Sequence, residues 1–383
     1  MNILVIGNGF DLAHGLPTGY KDFLEFIKTF KEVYEDKVLQ SKHKELDDTA
    51  DLSITPTRFT DCIENMIAQN RKIADELHEL SRVNLWLEYF GKVTLKEGWI
   101  DFESEISKVV QVMDELRILR NEINKKGYGK PVELQEYQSE VLNNVFKSNI
   151  VTLTGGYPVE DKKEEILLEL NRVTRCLEIY LSYFINKKDI GIVLPDIQHI
   201  KFDKVLSFNY TNTFERIYDL NEEQNIEYDY IHGKAEIEKN INTCNLVLGI
   251  DEYLSDSDKD NDNEFIQFKK FYQRIYKRTG NTYINWVKGI EETVDGMDMY
   301  AEKINIYILG HSLDVTDKDI LYRLLTARNA ETTIFYHNQE ALGNQIANLV
   351  KVLGEDELIS RVHGKYASVI FKEQSRPIKK EQE

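Results

Sequence analysis

Asn2-Ile3-Leu4-Val5-Ile6-Gly7-Asn8-Gly9-Phe10-Asp11 is an apolar, β-rich run that stops at a glycine-rich turn. A short apolar run bounded in this way reads as a strand buried in a parallel sheet and feeding a helix. The turn continues as Leu12-Ala13-His14-Gly15-Leu16-Pro17-Thr18. A dinucleotide fingerprint would need a third glycine where Leu12 stands, and no Gly-Lys-Ser/Thr phosphate loop is present. Gly7 and Gly9 still let backbone N–H groups approach a phosphate or ribose. Asn8 and Asp11 add polar groups that a plain turn does not need.

Outward from this stretch, helical periodicity dominates as far as about residue 195. Phe23, Phe26, Ile27 and Phe30 predict a helix over roughly 20–35. Further apolar stripes follow at Cys62–Ile67, Ile73–Leu80, Phe102–Leu116 and Ile166–Phe184. The segments 44–60, Gly127–Pro131 and Thr154–Pro158 read as loops and turns. After about 200, β-rich runs at 204–208, 228–232, 246–250, 304–309 and 332–336 alternate with helical patterns at 213–220, 264–277, 317–328 and 339–353. Strands alternating with helices imply one mostly parallel sheet, joined by the strand at 3–6. The expected architecture is α/β. Residues 1–39 and 196–383 form the α/β domain, and 40–195 form an α-helical insertion that caps it.

Ligand sites in open parallel sheets gather beyond the carboxyl ends of the strands. Three later segments sit at such ends. Ser207-Phe208-Asn209-Tyr210-Thr211-Asn212-Thr213-Phe214-Glu215 offers the Asn209 carboxamide for a water or a ribose hydroxyl, while Asn212 or Thr213 suits a helix cap. Tyr230-Ile231-His232-Gly233-Lys234 places a histidine where a general base works near neutral pH. In Leu309-Gly310-His311-Ser312-Leu313-Asp314-Val315-Thr316-Asp317, Gly310 and Ser312 can cradle a ligand, and Asp314 or Thr316 can bind or cap. Asp256, Asp258 and Asp260 imitate a calcium loop, but Asn261 and Gln267 stand where Gly and Glu belong, so the segment reads as an acidic loop.

Composition limits the partners. The chain has 383 residues with 48 Lys and Arg against 66 Asp and Glu, a net charge of −18, which disfavours duplex nucleic acid. Hydrophobic residues at 42% supply a packed core and exclude a mainly disordered chain. Cys62, Cys176 and Cys244 are scattered, and the histidines lack ligand spacing, so neither a disulfide framework nor a metal centre is expected. The basic run Arg376–Lys380 reads as a solvated tail. No apolar run nears the ~18 residues of a membrane span, and the first residues read as a strand and not as a signal peptide. A cytoplasmic location with no membrane partner is the expectation.

In order, these blocks resemble the bacterial abortive-infection family AbiH. The opening block, with Tyr20, Asp22 and Phe23, carries the resemblance most specifically. Ser207–Thr211, Ile231-His232-Gly233, Gly310–Leu313 and Trp99-Ile100-Asp101-Phe102-Glu103 add to it. The same blocks also resemble a divergent sirtuin-like Rossmann-type nucleotide-binding fold. That second resemblance implies catalytic roles for Asn209 and His232. It places Gly7, Asn8, Gly9, Asp11, Ser207, Tyr210, Gly310, Ser312 and Asp314 around NAD, which would be the substrate. Thr211 stands where sirtuins carry Asp, Asn8 stands where they carry Ala, and the zinc ribbon needed for protein deacylation is missing. The function implied is that of an anti-phage effector hydrolysing NAD⁺ to nicotinamide and ADP-ribose, with a phage-derived trigger protein or self-association as partners. The alternatives are a nucleotide-binding phage sensor without turnover, or a nuclease-type toxin using Asp11, His14 and Asp314.

Overall fold

The computed structural model describes residues 1–46, 56–98, 100–126, 135–145, 159–219, 225–251, 263–291, 303–365 and 367–380. Strands among these are β1 (Asn2–Ile6), β2 (Ile192–Val193), β3 (Lys204–Ser207), β4 (Glu227–Tyr230), β5 (Ile304–Leu309), β6 (Ala330–Tyr336), β7 (Val369–Glu373) and β8 (Ile378–Lys379). Six of them form one sheet in the order β4-β3-β1-β5-β6-β7. Every neighbouring pair in it is parallel. Numbered within the sheet, that order is 3-2-1-4-5-6, the doubly wound arrangement whose ligand crevice lies where the winding reverses. Here the reversal falls at β1, between β3 and β5.

The apolar run at 3–6 follows from this position. Ile3 and Val5 pack on one face with Leu206, Ile306, Ile308 and the helices behind them. Leu4 and Ile6 pack on the other with Val205, Leu309, Phe10 and Phe214. A central strand covered on both faces needs apolar residues at both parities of its pleat.

Between the short helix α1 (Asn8–Ala13) and β2 the described chain carries no strand. It forms α2 (Tyr20–Leu46), α3 (Thr60–Gln69), α4 (Arg71–Ser81), α5 (Leu85–Glu97), α6 (Phe102–Lys126), α7 (Glu136–Val145) and α8 (Val159–Ile179). The predicted stripes enter their core together with residues outside them, so that Phe23, Phe26 and Phe30 are buried with Phe59, from the segment read as a loop, and with Trp86 and Phe90 of α5. Asn84 caps α5 by accepting from the amides of Trp86 and Leu87, and Gly98 closes it in the left-handed region. Helix α8 continues into a π-helical turn, Tyr180–Ile185, and the Tyr180 hydroxyl donates to Pro17 O at 2.5 Å.

The remaining helices are α9 (Pro195–Gln198), α10 (Thr213–Tyr218), α11 (Lys270–Lys277), α12 (Tyr283–Glu291), α13 (Lys318–Leu325), α14 (Gln339–Leu353) and α15 (Glu355–His363). Several readings from sequence are corrected here. Residues 246–250 are not a strand of the sheet; a single bridge joins Ile250 to Lys269. Their polar groups go elsewhere, with Val247 N donating to His232 O and Leu248 held at both N and O by the Gln273 carboxamide. The helix expected over 264–277 splits into a 3₁₀ turn, Ile266–Phe268, and α11. The basic run Arg376–Lys380 is exposed, and within it β8 runs antiparallel to β2, which the sequence reading did not foresee. Gly127–Pro131, Thr154–Pro158, Trp99 and the Asp256–Asp260 segment lie outside the described residues.

Candidate functional site

The turns after β1 and β5 meet above the switch point through backbone contacts, and the turn after β3 joins them through the Thr211 hydroxyl on Asp11. Gly9 N donates to Gly310 O at 2.8 Å, and Gly7 N to Leu309 O at 3.3 Å. A Cβ on Gly310, whose φ is +70°, would lie 2.0 Å from Phe10 N, and one on Gly7 would lie 2.8 Å from Gly310 O. Two glycine-bearing turns therefore interlock backbone to backbone. This contact accounts for their glycines and takes up the Gly9 amide that the sequence offers to a phosphate.

Beside this seam lies a cavity of about 460 Å³, within the usual range for a small-ligand site. Asn209 and His232 both line it. So do Gly7, Asn8, Gly9 and Asp11 from the first turn, and Tyr210, Gly310, Ser312 and Asp314 from the later ones. Ser207 does not; its buried hydroxyl donates to Asn209 O at 3.0 Å and accepts from Asn209 N at 3.1 Å, which fixes the backbone carrying that carboxamide. Asp314 lines the cavity and also caps the turn Val315–Asp317, accepting from Thr316 N at 3.0 Å. Asn212 occupies the cap position of α10 without a side-chain cap bond, contrary to the capping expectation. His14 is not in the lining. Its Nδ1 lies 2.7 Å from Phe10 O and its Nε2 2.9 Å from the Tyr218 hydroxyl.

Four buried polar atoms of the residues that line the cavity have no hydrogen-bond partner: Asp11 Oδ1, both carboxamide atoms of Asn209, and His232 Nδ1. Thr211 donates to the other Asp11 oxygen at 2.6 Å. Burial pushes the Asp11 carboxyl up to about 6, although Thr211, Thr213, Asn209 and Arg216 pull it down. Burial likewise lowers His232, so its imidazole is neutral near pH 7.

One wall is built from charged residues that sequence reasoning did not place in the site. Asp317 Oδ1 lies 3.4 Å from His232 Nε2 and 3.8 Å from Lys270 Nζ, and Asp317 Oδ2 lies 3.5 Å from His311 Nε2. Lys270 pairs at 2.6 Å with Glu103, at the start of α6. Burial opposes every charge in this group. The Lys270 ammonium and the two imidazoles nevertheless hold Asp317 well below the usual carboxylate range. The two carboxylates hold Lys270 above its ordinary value in turn. Glu103 is left with the burial cost and rises to about 7. Leu177 of α8 and Leu181 of its π-helical turn also line the cavity, so the helical layer contributes wall as well as charge.

Among the described residues, no three His, Cys, Asp or Glu side chains converge as a metal-binding group, and no helix is long and apolar enough to cross a membrane. Fold and cavity together define a doubly wound α/β protein with a polar site at its topological switch point. The model of the family described as bacteriophage abortive infection AbiH matches the chain from residue 3 to residue 337, and the chain belongs to that family. No curated protein and no solved structure matches it.

Proposed function

We propose that this protein is an anti-phage abortive-infection effector that hydrolyses NAD⁺ to nicotinamide and ADP-ribose at the Asn209/His232 site. The observation that carries the reading is the set of buried, unpartnered polar atoms on residues that line the cavity. These are Asp11 Oδ1, both carboxamide atoms of Asn209 and His232 Nδ1. Buried polar groups in native proteins are normally satisfied. The vicinal diol of a ribose supplies hydroxyl groups of the kind that pair with carboxylate and carboxamide groups. The resemblance of the four blocks to sirtuins points to the same pair of residues, and the doubly wound strand order suits a nucleotide.

In this reading the Asn209 carboxamide orients the ribose and the attacking water. The bond from ribose C1′ to the nicotinamide nitrogen breaks, and its electron pair leaves with the neutral base. Water oxygen bonds to C1′ through an oxocarbenium-like transition state, and His232 takes the water proton before releasing it to solvent. The helical cap over 40–195 is assigned to covering this chemistry. Purified protein incubated with NAD⁺ should release nicotinamide, and Asn209→Ala and His232→Ala should each slow release by ~10²-fold or more, the usual cost of losing a positioning group or base. Binding of NAD⁺ without release would favour the sensor. Unchanged turnover in both variants would remove the assigned site.

A further inference from the structure

We propose that Asp317 is a positioning residue that holds His232 with its proton on Nε2, leaving Nδ1 as the proton-accepting atom, and that the Lys270–Glu103 pair keeps the Asp317 carboxylate in place for that task. The use of Nδ1 as a base rests on the reading of the site as hydrolytic; the tautomer itself does not.

Three independent pieces of geometry support this. The Nε2 edge of His232 faces Asp317 Oδ1 at 3.4 Å, whereas its Nδ1 is buried in the cavity wall without a partner. A carboxylate can only accept, so the imidazole nitrogen facing it carries the hydrogen. Second, the other Asp317 oxygen faces an imidazole whose tautomer is set locally. Leu313 N donates to His311 Nδ1 at 2.9 Å, so that nitrogen is an acceptor and the hydrogen resides on Nε2, 3.5 Å from Asp317 Oδ2. The turn that allows this holds Leu313 at φ +59°, a left-handed conformation that leucine rarely adopts. Third, Lys270 lies between Asp317 and Glu103 and balances carboxylate charge that would otherwise be isolated in a buried wall. Each oxygen of Asp317 thus has one imidazole, with the ammonium beside Oδ1. When His232 gains a proton, the resulting imidazolium already faces the Asp317 carboxylate.

The test reads the histidine directly. In protein labelled with ¹⁵N-histidine, with His232 assigned by loss of its signals in His232→Gln, the long-range ¹H–¹⁵N spectrum at pH 8 should show a non-protonated Nδ1 and a protonated Nε2. Asp317→Asn should shift His232 toward a mixture of tautomers and lower kcat for nicotinamide release by ~10²-fold or more, with a smaller change in KM. The wild-type spectrum needs no variant to remain folded, and a His232 protonated at Nδ1 there overturns the proposal. An unchanged His232 tautomer in folded Asp317→Asn overturns it as well. Absence of NAD⁺ cleavage together with the expected spectra would defeat the hydrolytic reading and leave the role of Asp317 standing.

Discussion

Asp11 shows how a single residue can work against the fold while serving a site. Its carboxyl is buried, and burial raises it from 3.8 to about 6. The folded state therefore binds this proton more tightly than the unfolded chain, so the associated stability is full below about pH 4 and is lost as the pH rises through about 6. Replacing the group by a neutral isostere should recover that loss. Asp11→Asn is expected to be more stable than wild type at pH 8 by up to ~3 kcal/mol, at 1.36 kcal/mol per pK unit, with no gain at pH 4. Urea unfolding at the two pH values measures it, and ligand binding should weaken in the same variant. The polar turn residues Asn8, Asp11, Asn209 and His232 were legible in the sequence because each stands just beyond a β-rich run. Glu103, Lys270 and Asp317 were not read as site residues. Glu103 and Asp317 stand in the motif blocks without an assigned role and Lys270 in none, and only the folded packing brings the three into one wall.

Elements are positioned by contacts closer than any side chain permits. The seam between the first turn and the turn after β5 leaves no room for a methyl group, so Gly310→Ala should cost ~3 kcal/mol or more through clash and a disfavoured φ. It should also disturb the cavity; thermal melts and nicotinamide release would both fall. Gly343 gives the opposite case. It is exposed within α14, and a Cβ there meets nothing within 4 Å. Gly343→Ala should raise stability by about 0.5–1 kcal/mol, read as a higher melting temperature with unchanged activity. Strand and helix patterns predicted most elements because apolar residues at period two or 3.6 declare the face they bury. The run at 246–250 misled because it is apolar and buried yet satisfies its backbone through the Gln273 side chain and neighbouring loops. Such side-chain pairing leaves no periodic trace.

At the scale of the molecule, Lys270 joins the helical layer to the sheet, through Glu103 on α6 and Asp317 ahead of α13. Removing one member of a buried pair leaves uncompensated charge and typically costs 3–5 kcal/mol. Lys270→Met should therefore destabilise the protein by about 3 kcal/mol at pH 8 and by less at pH 5, where Glu103, at about 7, is protonated. Denaturant melts at the two pH values decide it, and an equal loss at both would contradict the electrostatic account. The place of β1 has a consequence for synthesis. It leaves the ribosome ahead of both its sheet neighbours, which begin at Lys204 and Ile304. At roughly 5–20 residues per second the emerging central strand waits on the order of 10–60 s for both sides to arrive. A nascent chain cut short before β5 has no second wall for the cavity, so the site is acquired only once the chain has been made through Asp317.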